Sequence, residues 1–387
     1  MTKIKLYNKI DKAGINRFDT EKYELGEDLA EYEGIMVRSA ALHDVEFPSS
    51  LRAIARAGAG VNNIPIDKCA DEGIVVFNTP GANANGVKEL SVAALLLASR
   101  DIAGGIEWCK SLIGTPDIAK QVEKGKSAFA GPELLGKTLG VIGLGAIGGM
   151  VANTATSLGM TVIGCDPYIT VNAAWSISRA VIKANAYDEV YAASDYITIH
   201  VPSNDSTRGM INADAIAKMK DGVRIINLAR GDLVNAADLK AALDSGKVAS
   251  YVTDFPDENI LGCKNTVCIP HLGASTPESE ENCARMAADE LIDFFENGNI
   301  RNSVNYPAIS QPRSTAHRII VLHKNIPSMV ASVSAVLGAD KVNIDSMSNR
   351  SKGNYAVTII DPDSEVTPEV AKDISDINGV IRVNIIA

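Results

Sequence analysis

Gly136-Lys137-Thr138-Leu139-Gly140-Val141-Ile142-Gly143-Leu144-Gly145-Ala146-Ile147-Gly148 is the stretch on which the fold turns. It reads as an apolar strand entering Gly143-x-Gly145-x-x-Gly148, with a helix expected from Ala146 to Leu158. Each glycine has its own task in such a strand–turn–helix unit. The first permits a tight turn, the second lets backbone approach a pyrophosphate, and the third lets helix pack on strand. The phosphate charge then meets the helix N-terminus. The next expected strand, Thr161 to Cys165, ends at Asp166. A carboxylate there accepts hydrogen bonds from both ribose hydroxyls of NAD. At roughly 4 Å from the 2′-phosphate of NADP it would meet a repulsion of about 1 kcal/mol per unit charge in water and about 4 kcal/mol at intermediate dielectric. The reading is a Rossmann domain built for NAD, with Gly143, Gly145, Ala146, Ile147, Gly148 and Asp166 at the cofactor.

On the N-terminal side, short strands expected at Lys3 to Tyr7, Gly34 to Arg38, Ile54 to Ala57 and Ile74 to Asn78 alternate with helical stretches, the mark of a parallel sheet. Val87 to Arg100 reads as a buried helix. Beyond the loop, strands are expected at Tyr196 to Val201, Arg224 to Leu228, Ser250 to Thr253 and Thr266 to Ile269, with helices at Ala236 to Ser245 and, amphipathic, at Pro277 to Asn297. Pro307 and Pro312 mark a linker within Arg301 to Ser314. The remainder reads strand (Ile319 to His323), helix (Pro327 to Leu337), strand (Val342 to Met347), strand (Tyr355 to Ile360), helix (Pro368 to Asp376), strand (Val380 to Ile386), a ferredoxin-like order. The expected fold class is α/β: doubly wound parallel sheets, with the Rossmann domain inserted in a flavodoxin-like substrate domain, plus a small ferredoxin-like α+β domain. The expected boundaries are 1–95 for the first part of the substrate domain, 96–284 for the NAD-binding domain, 285–312 for a return helix and linker, and 313–387 for the terminal module.

Composition narrows the class. A chain of 387 residues is too long for one ordinary core, and 46% hydrophobic with 22% charged residues is that of a globular protein. A net charge of −10 argues against nucleic acid as a partner, because phosphate neutralisation needs a basic face. No apolar run is long enough to cross a bilayer, and the amino terminus lacks the pattern of a secretory signal, so a cytoplasmic location away from membranes is expected. Six scattered cysteines lack Cys-x-x-Cys spacing, so free thiols are expected and no metal site.

Ligands of open α/β sheets lie past the carboxyl ends of strands. Three residues there carry chemistry: Arg230 in Asn227-Leu228-Ala229-Arg230-Gly231, Glu258 in Phe255-Pro256-Asp257-Glu258, and His271 in Ile269-Pro270-His271-Leu272-Gly273. Oxidising an alcohol requires removal of a hydroxyl proton as hydride leaves, and histidine is the residue type that titrates near working pH. A guanidinium offers a planar fork for a carboxylate.

With Arg56-Ala57-Gly58-Ala59-Gly60-Val61-Asn62-Asn63-Ile64, Asn78-Thr79-Pro80-Gly81-Ala82-Asn83, His200-Val201-Pro202 and Pro270-His271-Leu272-Gly273-Ala274-Ser275-Thr276, these segments resemble the D-isomer-specific 2-hydroxyacid dehydrogenases along essentially the whole chain. The resemblance implies His271 as base, Glu258 as its carboxylate partner and Arg230 as substrate anchor. It places His200, Val201, Pro202, Thr207, Ala229, Arg230, Asp254, His271 and Gly273 around NAD, and Arg38, Ser39, Arg56, Asn83, Arg230 and His271 around a small phosphorylated 2-hydroxy acid. His200 is the rival base. Of the substrates, 3-phospho-D-glycerate is expected; a hydroxypyruvate or glyoxylate reductase and a non-catalytic NAD-sensing regulator are the alternatives. Relatives carry Asp two residues before the Phe of Asp-x-Phe-x-x-Glu-Pro. Here Thr253 stands at that position, Asp254 is shifted by one and Asn259 replaces the proline, which leaves Asp257 open as a second partner for His271.

The terminal segment resembles an ACT domain, a module that binds amino acids. Asn325 and Asn343 match positions that hold L-serine in serine-inhibited relatives, while Ser328 stands where those have glycine. An L-serine effector and a purely structural module are both open, and a homodimer or homotetramer is expected.

Overall fold

The computed structural model describes residues 1–386, which form two compact units, 1–83 with 280–386, and Ala84–Ser279. In the first unit, β1 (Thr2–Tyr7), β2 (Tyr23–Gly26), β3 (Gly34–Val37), β4 (Ala53–Arg56) and β5 (Val75–Phe77) form a parallel sheet in the order β2-β1-β3-β4-β5, the flavodoxin-like order. Its central strand β3 and the first three residues of β4 are apolar because both faces are covered. Met36, Ala53, Ala55 and Phe77 point to one face, against Leu291, Phe294 and Phe295 of the helix Pro277–Asn297, while Ile35, Val37, Ile54 and Val76 point to the other, against Leu42, Ile64 and Cys69.

In the second unit, β6 (Thr138–Ile142), β7 (Thr161–Cys165), β8 (Ile182–Lys183), β9 (Tyr196–Ile199), β10 (Val223–Asn227), β11 (Val248–Thr253) and β12 (Thr266–Cys268) form a seven-stranded parallel sheet in the order β12-β11-β10-β9-β6-β7-β8. Strand order reverses between β6 and β9, so the carboxyl ends of those two strands flank the crevice such a sheet offers a ligand. The helix Ala84–Ser99 packs Ala94, Leu95 and Ala98 against Val141, Ile226 and Val252 of this sheet.

The carboxy-terminal part of the first unit carries β13 (Arg318–Lys324), β14 (Ile344–Lys352), β15 (Tyr355–Pro362) and β16 (Val380–Ile386), an antiparallel sheet in the order β14-β15-β13-β16 with helices at Met329–Ala339 and Pro368–Ser375. One sheet face packs on those helices through Ile319, Val321 and Ile360. The other, through Ile320, Leu322, Val357 and Ile359, joins the core around Phe294 and Phe295. The fold class is therefore the one expected, with differences at the edges of elements. The expected helix at Pro327 begins at Met329, and β14 starts at Ile344 rather than Val342 and runs on through polar Asn349 to Lys352, which pair along an edge where burial does not demand apolar residues.

A buried ion pair ties the linker to this module. Arg318 and Asp361 are both fully buried, bridged at 2.6 and 2.8 Å, and the remaining Arg318 donors reach the carbonyls of Asn297, Gln311 and Pro312. Burial pushes the Asp361 carboxyl up, but the donors from Arg318, Gln311 and Ser314 outweigh it and hold it below the ordinary carboxylate range. Replacing Arg318 by methionine strands that carboxylate and should cost about 3–5 kcal/mol. Because the native Asp361 value is depressed, the pair's contribution is present above the ordinary aspartate pKa of about 3.9 and is lost as pH falls through the lower native value. Urea denaturation of the two proteins at pH 7 and pH 3 should show the gap narrowing in acid.

Candidate active site

The glycine loop leaves β6 at Gly143, whose φ of +88° and whose neighbour, the His200 carbonyl oxygen 2.6 Å from any Cβ, both demand glycine. A Cβ on Gly148 would stand 1.9 Å from the Gly143 carbonyl oxygen. Gly145 differs: nothing lies within 4 Å of its Cβ position, so it lacks a side chain although the protein leaves room for one. The helix Ala146–Ser157 starts here with no side chain capping its first N–H groups. Asp166, at the end of β7, accepts from the Leu144 N–H and the Tyr168 N–H, both at 2.9 Å, and so holds the loop to the neighbouring strand. An open approach at Gly145, an uncapped helix N-terminus and a carboxylate beside them fit the pyrophosphate and ribose of a dinucleotide.

His200, after β9, is packed under this loop. Its Nε2 meets the Thr198 hydroxyl at 2.9 Å, its Nδ1 has no hydrogen-bond partner among the described residues, and burial pushes its pKa down to about 4. A neutral ring locked there suits support of the loop better than proton transfer. Val201 and Pro202 follow, and the Thr207 hydroxyl donates to the Pro202 carbonyl at 2.6 Å, closing the turn. Gly273 is buried, a Cβ there meeting Val87 at 3.1 Å.

After β10, Asn227 shapes the segment that ends in Arg230: its side-chain amide donates to the Arg230 carbonyl at 2.8 Å and its side-chain oxygen accepts from the Ala229 N–H at 3.2 Å. Arg230 is exposed, with its guanidinium 5.8 Å from the Phe255 ring centroid. The same ring meets the imidazole of His271 at 4.4 Å. Phe255 thus holds the cation and the histidine together. Asp254 beside it is 3% exposed, and neither of its carboxylate oxygens has a hydrogen-bond partner among the described residues. Burial pushes its carboxyl up, opposed by the charges of His271 and Arg230. Two buried, unpaired acceptors at the end of β11 fit the N–H groups of a nicotinamide carboxamide.

Glu258 stands apart from this group. It is exposed, makes no hydrogen bond to His271 among the described residues, and lines a surface cavity of about 610 Å³ with Lys240 and Lys264. Asp257 is engaged as well, its Oδ1 accepting from the N–H groups of Asn259 and Ile260. The structure brings Arg230, Asp254 and His271 together and leaves the carboxylate named by the resemblance outside. Asn227 and Phe255 are the residues that sequence reasoning passed over as functional. Their only signal was position, one at the end of a strand and the other directly after Asp254.

In the first unit, Arg38 follows β3 and Arg56 ends the adjacent β4, and Arg56 Nε donates to the Arg38 carbonyl at 3.0 Å. The Arg38 guanidinium pairs with Glu280 at 2.6 Å, both groups being partly exposed. Gly58, at φ +152°, lets the Arg56 guanidinium lie where a Cβ would stand. The N–H groups of Ser39 and Ala40 both donate to Asn8 Oδ1, and Asn83 is half-buried. In the terminal module, Asn325 is exposed and donates to the Gly353 carbonyl at 3.0 Å; Asn343 is exposed; Ser328 holds φ +69°, a conformation that favours glycine.

A parallel sheet in this order, with a glycine loop after its central strand and an acid after the next, defines a dinucleotide-binding domain. Residues 92–273 match the NAD binding domain of the D-isomer specific 2-hydroxyacid dehydrogenases, and the cofactor of that domain is NAD. It is 38% identical over 299 residues to D-3-phosphoglycerate dehydrogenase of Archaeoglobus fulgidus and 34% identical over 294 residues to that of Bacillus subtilis. Each match covers 74% of this chain and 54% of the relative, so the chain spans about half the length of the curated relatives it matches. NAD+-bound 3-phosphoglycerate dehydrogenase of Entamoeba histolytica superimposes with a TM-score of 0.62 at 25% identity, over 79% of this chain and 98% of that one. D-mandelate dehydrogenase of Rhodotorula graminis, at 23% identity, shares the fold with a TM-score of 0.66 over 81% of this chain and 99% of that one. Among the described residues no helix is long and apolar enough to cross a membrane.

Proposed function

We propose that the chain oxidises 3-phospho-D-glycerate to 3-phosphohydroxypyruvate with NAD, the first step of L-serine biosynthesis, as a cytoplasmic homodimer or homotetramer. The observation that carries this reading is the pairing of Arg230 and His271 on one phenyl ring within an NAD-binding unit. Bound NAD supplies the hydride acceptor. His271 takes the hydroxyl proton as the C–H hydride leaves, Arg230 binds the substrate carboxylate and polarises the forming carbonyl, and Asp254 accepts from the carboxamide of the cofactor. Arg38, Ser39, Arg56 and Asn83 are assigned to the phosphate end. L-serine is assigned to Asn325 and Asn343 as effector, with the Ser328 side chain set against its approach.

The Arg38–Glu280 pair favours a second reading, a hydroxypyruvate or glyoxylate reductase, since a phosphate must draw Arg38 away from a carboxylate. Substitution tests the first reading. Arg56→Leu should raise KM for 3-phosphoglycerate about 10- to 100-fold, the loss of one charge-assisted hydrogen bond, and leave KM for D-glycerate nearly unchanged. Equal effects on both substrates would remove Arg56 from the phosphate site.

A further inference from the structure

The carboxyl end of the first unit's parallel sheet carries two cations and one acid. Arg38 follows β3 and Arg56 ends β4, and the bond from Arg56 Nε to the Arg38 carbonyl, at 3.0 Å, ties the first side chain to the backbone of the second. The acid comes from the helix Pro277–Asn297, which bears Glu280 in its first turn. Glu280 Oε1 accepts from Arg38 Nη2 at 2.6 Å, a charge-assisted bond between side chains that are 40% and 41% exposed and therefore within reach of a ligand. Cys283, one turn along the helix, feels the same three charges: burial pushes its thiol up, Arg56 and Arg38 pull it down, and Glu280 pushes it up. The adjacent acid, Glu281, is engaged elsewhere, paired with Arg285 along the helix.

Ligands of a parallel sheet lie past the carboxyl ends of its strands, so an anion drawn to Arg38 has to approach the place that the Glu280 carboxylate occupies. A phosphate ester brings about two negative charges at pH 7. Held on Arg38, it meets the Glu280 carboxylate at close range, where the protein screens repulsion less than water does. An uncharged hydroxymethyl group meets no such repulsion. Glu280 therefore acts unequally on two substrates that differ only in that phosphate.

We propose that Glu280 is a specificity-determining residue: it fills the seat of the substrate's distal anion in the empty site, weakens phosphate binding at Arg38, and so limits the preference for a phosphorylated 2-hydroxy acid. The proposal rests on the assignment of Arg38 and Arg56 to the distal end of the substrate. The Arg38–Glu280 pair then tunes the choice of substrate and leaves the reaction at Arg230 and His271 unchanged.

The test is calorimetric titration of the full chain with 3-phospho-D-glycerate and with D-glycerate, each in the presence of NADH, which fills the cofactor site without accepting hydride. The quantity read is the ratio of the two dissociation constants. Glu280→Gln keeps the size of the side chain and removes its charge. It should shift the ratio at least about tenfold toward the phosphorylated acid, through tighter binding of that acid alone. Its melting temperature should stay within a few degrees of the parent, because a partly exposed ion pair contributes little stability. Glu281→Gln removes the same charge one residue along and should leave the ratio unchanged. A parent that binds both acids equally would contradict the phosphoglycerate reading, and a preference gained by Glu280→Gln would still support the role of Glu280. An unchanged ratio in Glu280→Gln, an equal shift in Glu281→Gln, or binding of neither acid would each overturn the proposal.

Discussion

His271→Ala is expected to lower kcat by about 10²- to 10⁴-fold, the usual contribution of a positioned general base, while NADH binding measured by fluorescence stays within a few-fold of the parent. The separation follows from where the residue sits. His271 is exposed, rests on Phe255, and is outside the buried cores, so its removal leaves no cavity in the sheet or the glycine loop. His200 offers no substitute, being half-buried, locked against Thr198 and held with its pKa at about 4. Unchanged turnover in His271→Ala would mean that another group removes the proton.

The second large effect concerns the loop and separates two glycines that look alike in sequence. Gly145→Val should fold normally, because nothing lies within 4 Å of the Cβ position, yet its side chain would occupy the approach to the helix N-terminus and weaken NADH binding by about a hundredfold. Gly148→Ala should fail differently. Its Cβ would collide with the Gly143 carbonyl oxygen at 1.9 Å, so the second unit must rearrange, and both the melting temperature and NADH binding should fall. Equal melting temperatures for the two variants would show that the loop tolerates the clash by moving.

These contrasts show what a reading of residues can and cannot reach. The sheets were legible wherever burial on both faces forces an unbroken apolar run, as in Ile35-Met36-Val37 or Leu139-Gly140-Val141-Ile142, and the loop was legible because its glycines have separate steric tasks. β2 and β8 were not, since an edge strand of four or two residues carries partly exposed positions and little periodicity. The same limit applies at the site. Arg230 and His271 announce themselves by chemistry at strand ends, but which acid accompanies them depends on the path of the turn after β11. There Asp254 is folded inward and Glu258 outward, and a one-residue shift in the motif hinted at the change without deciding it. The Phe255 ring that gathers the pair is legible only once the turn is built.

The central claim is that this NAD-binding chain acts on a phosphorylated 2-hydroxy acid. It is tested most directly by kcat/KM for 3-phospho-D-glycerate and for D-glycerate, followed through NADH absorbance with NAD as oxidant. Two guanidiniums on one phosphate predict a preference of at least about a hundredfold for the phosphorylated substrate. Equal kcat/KM for the two would contradict the account.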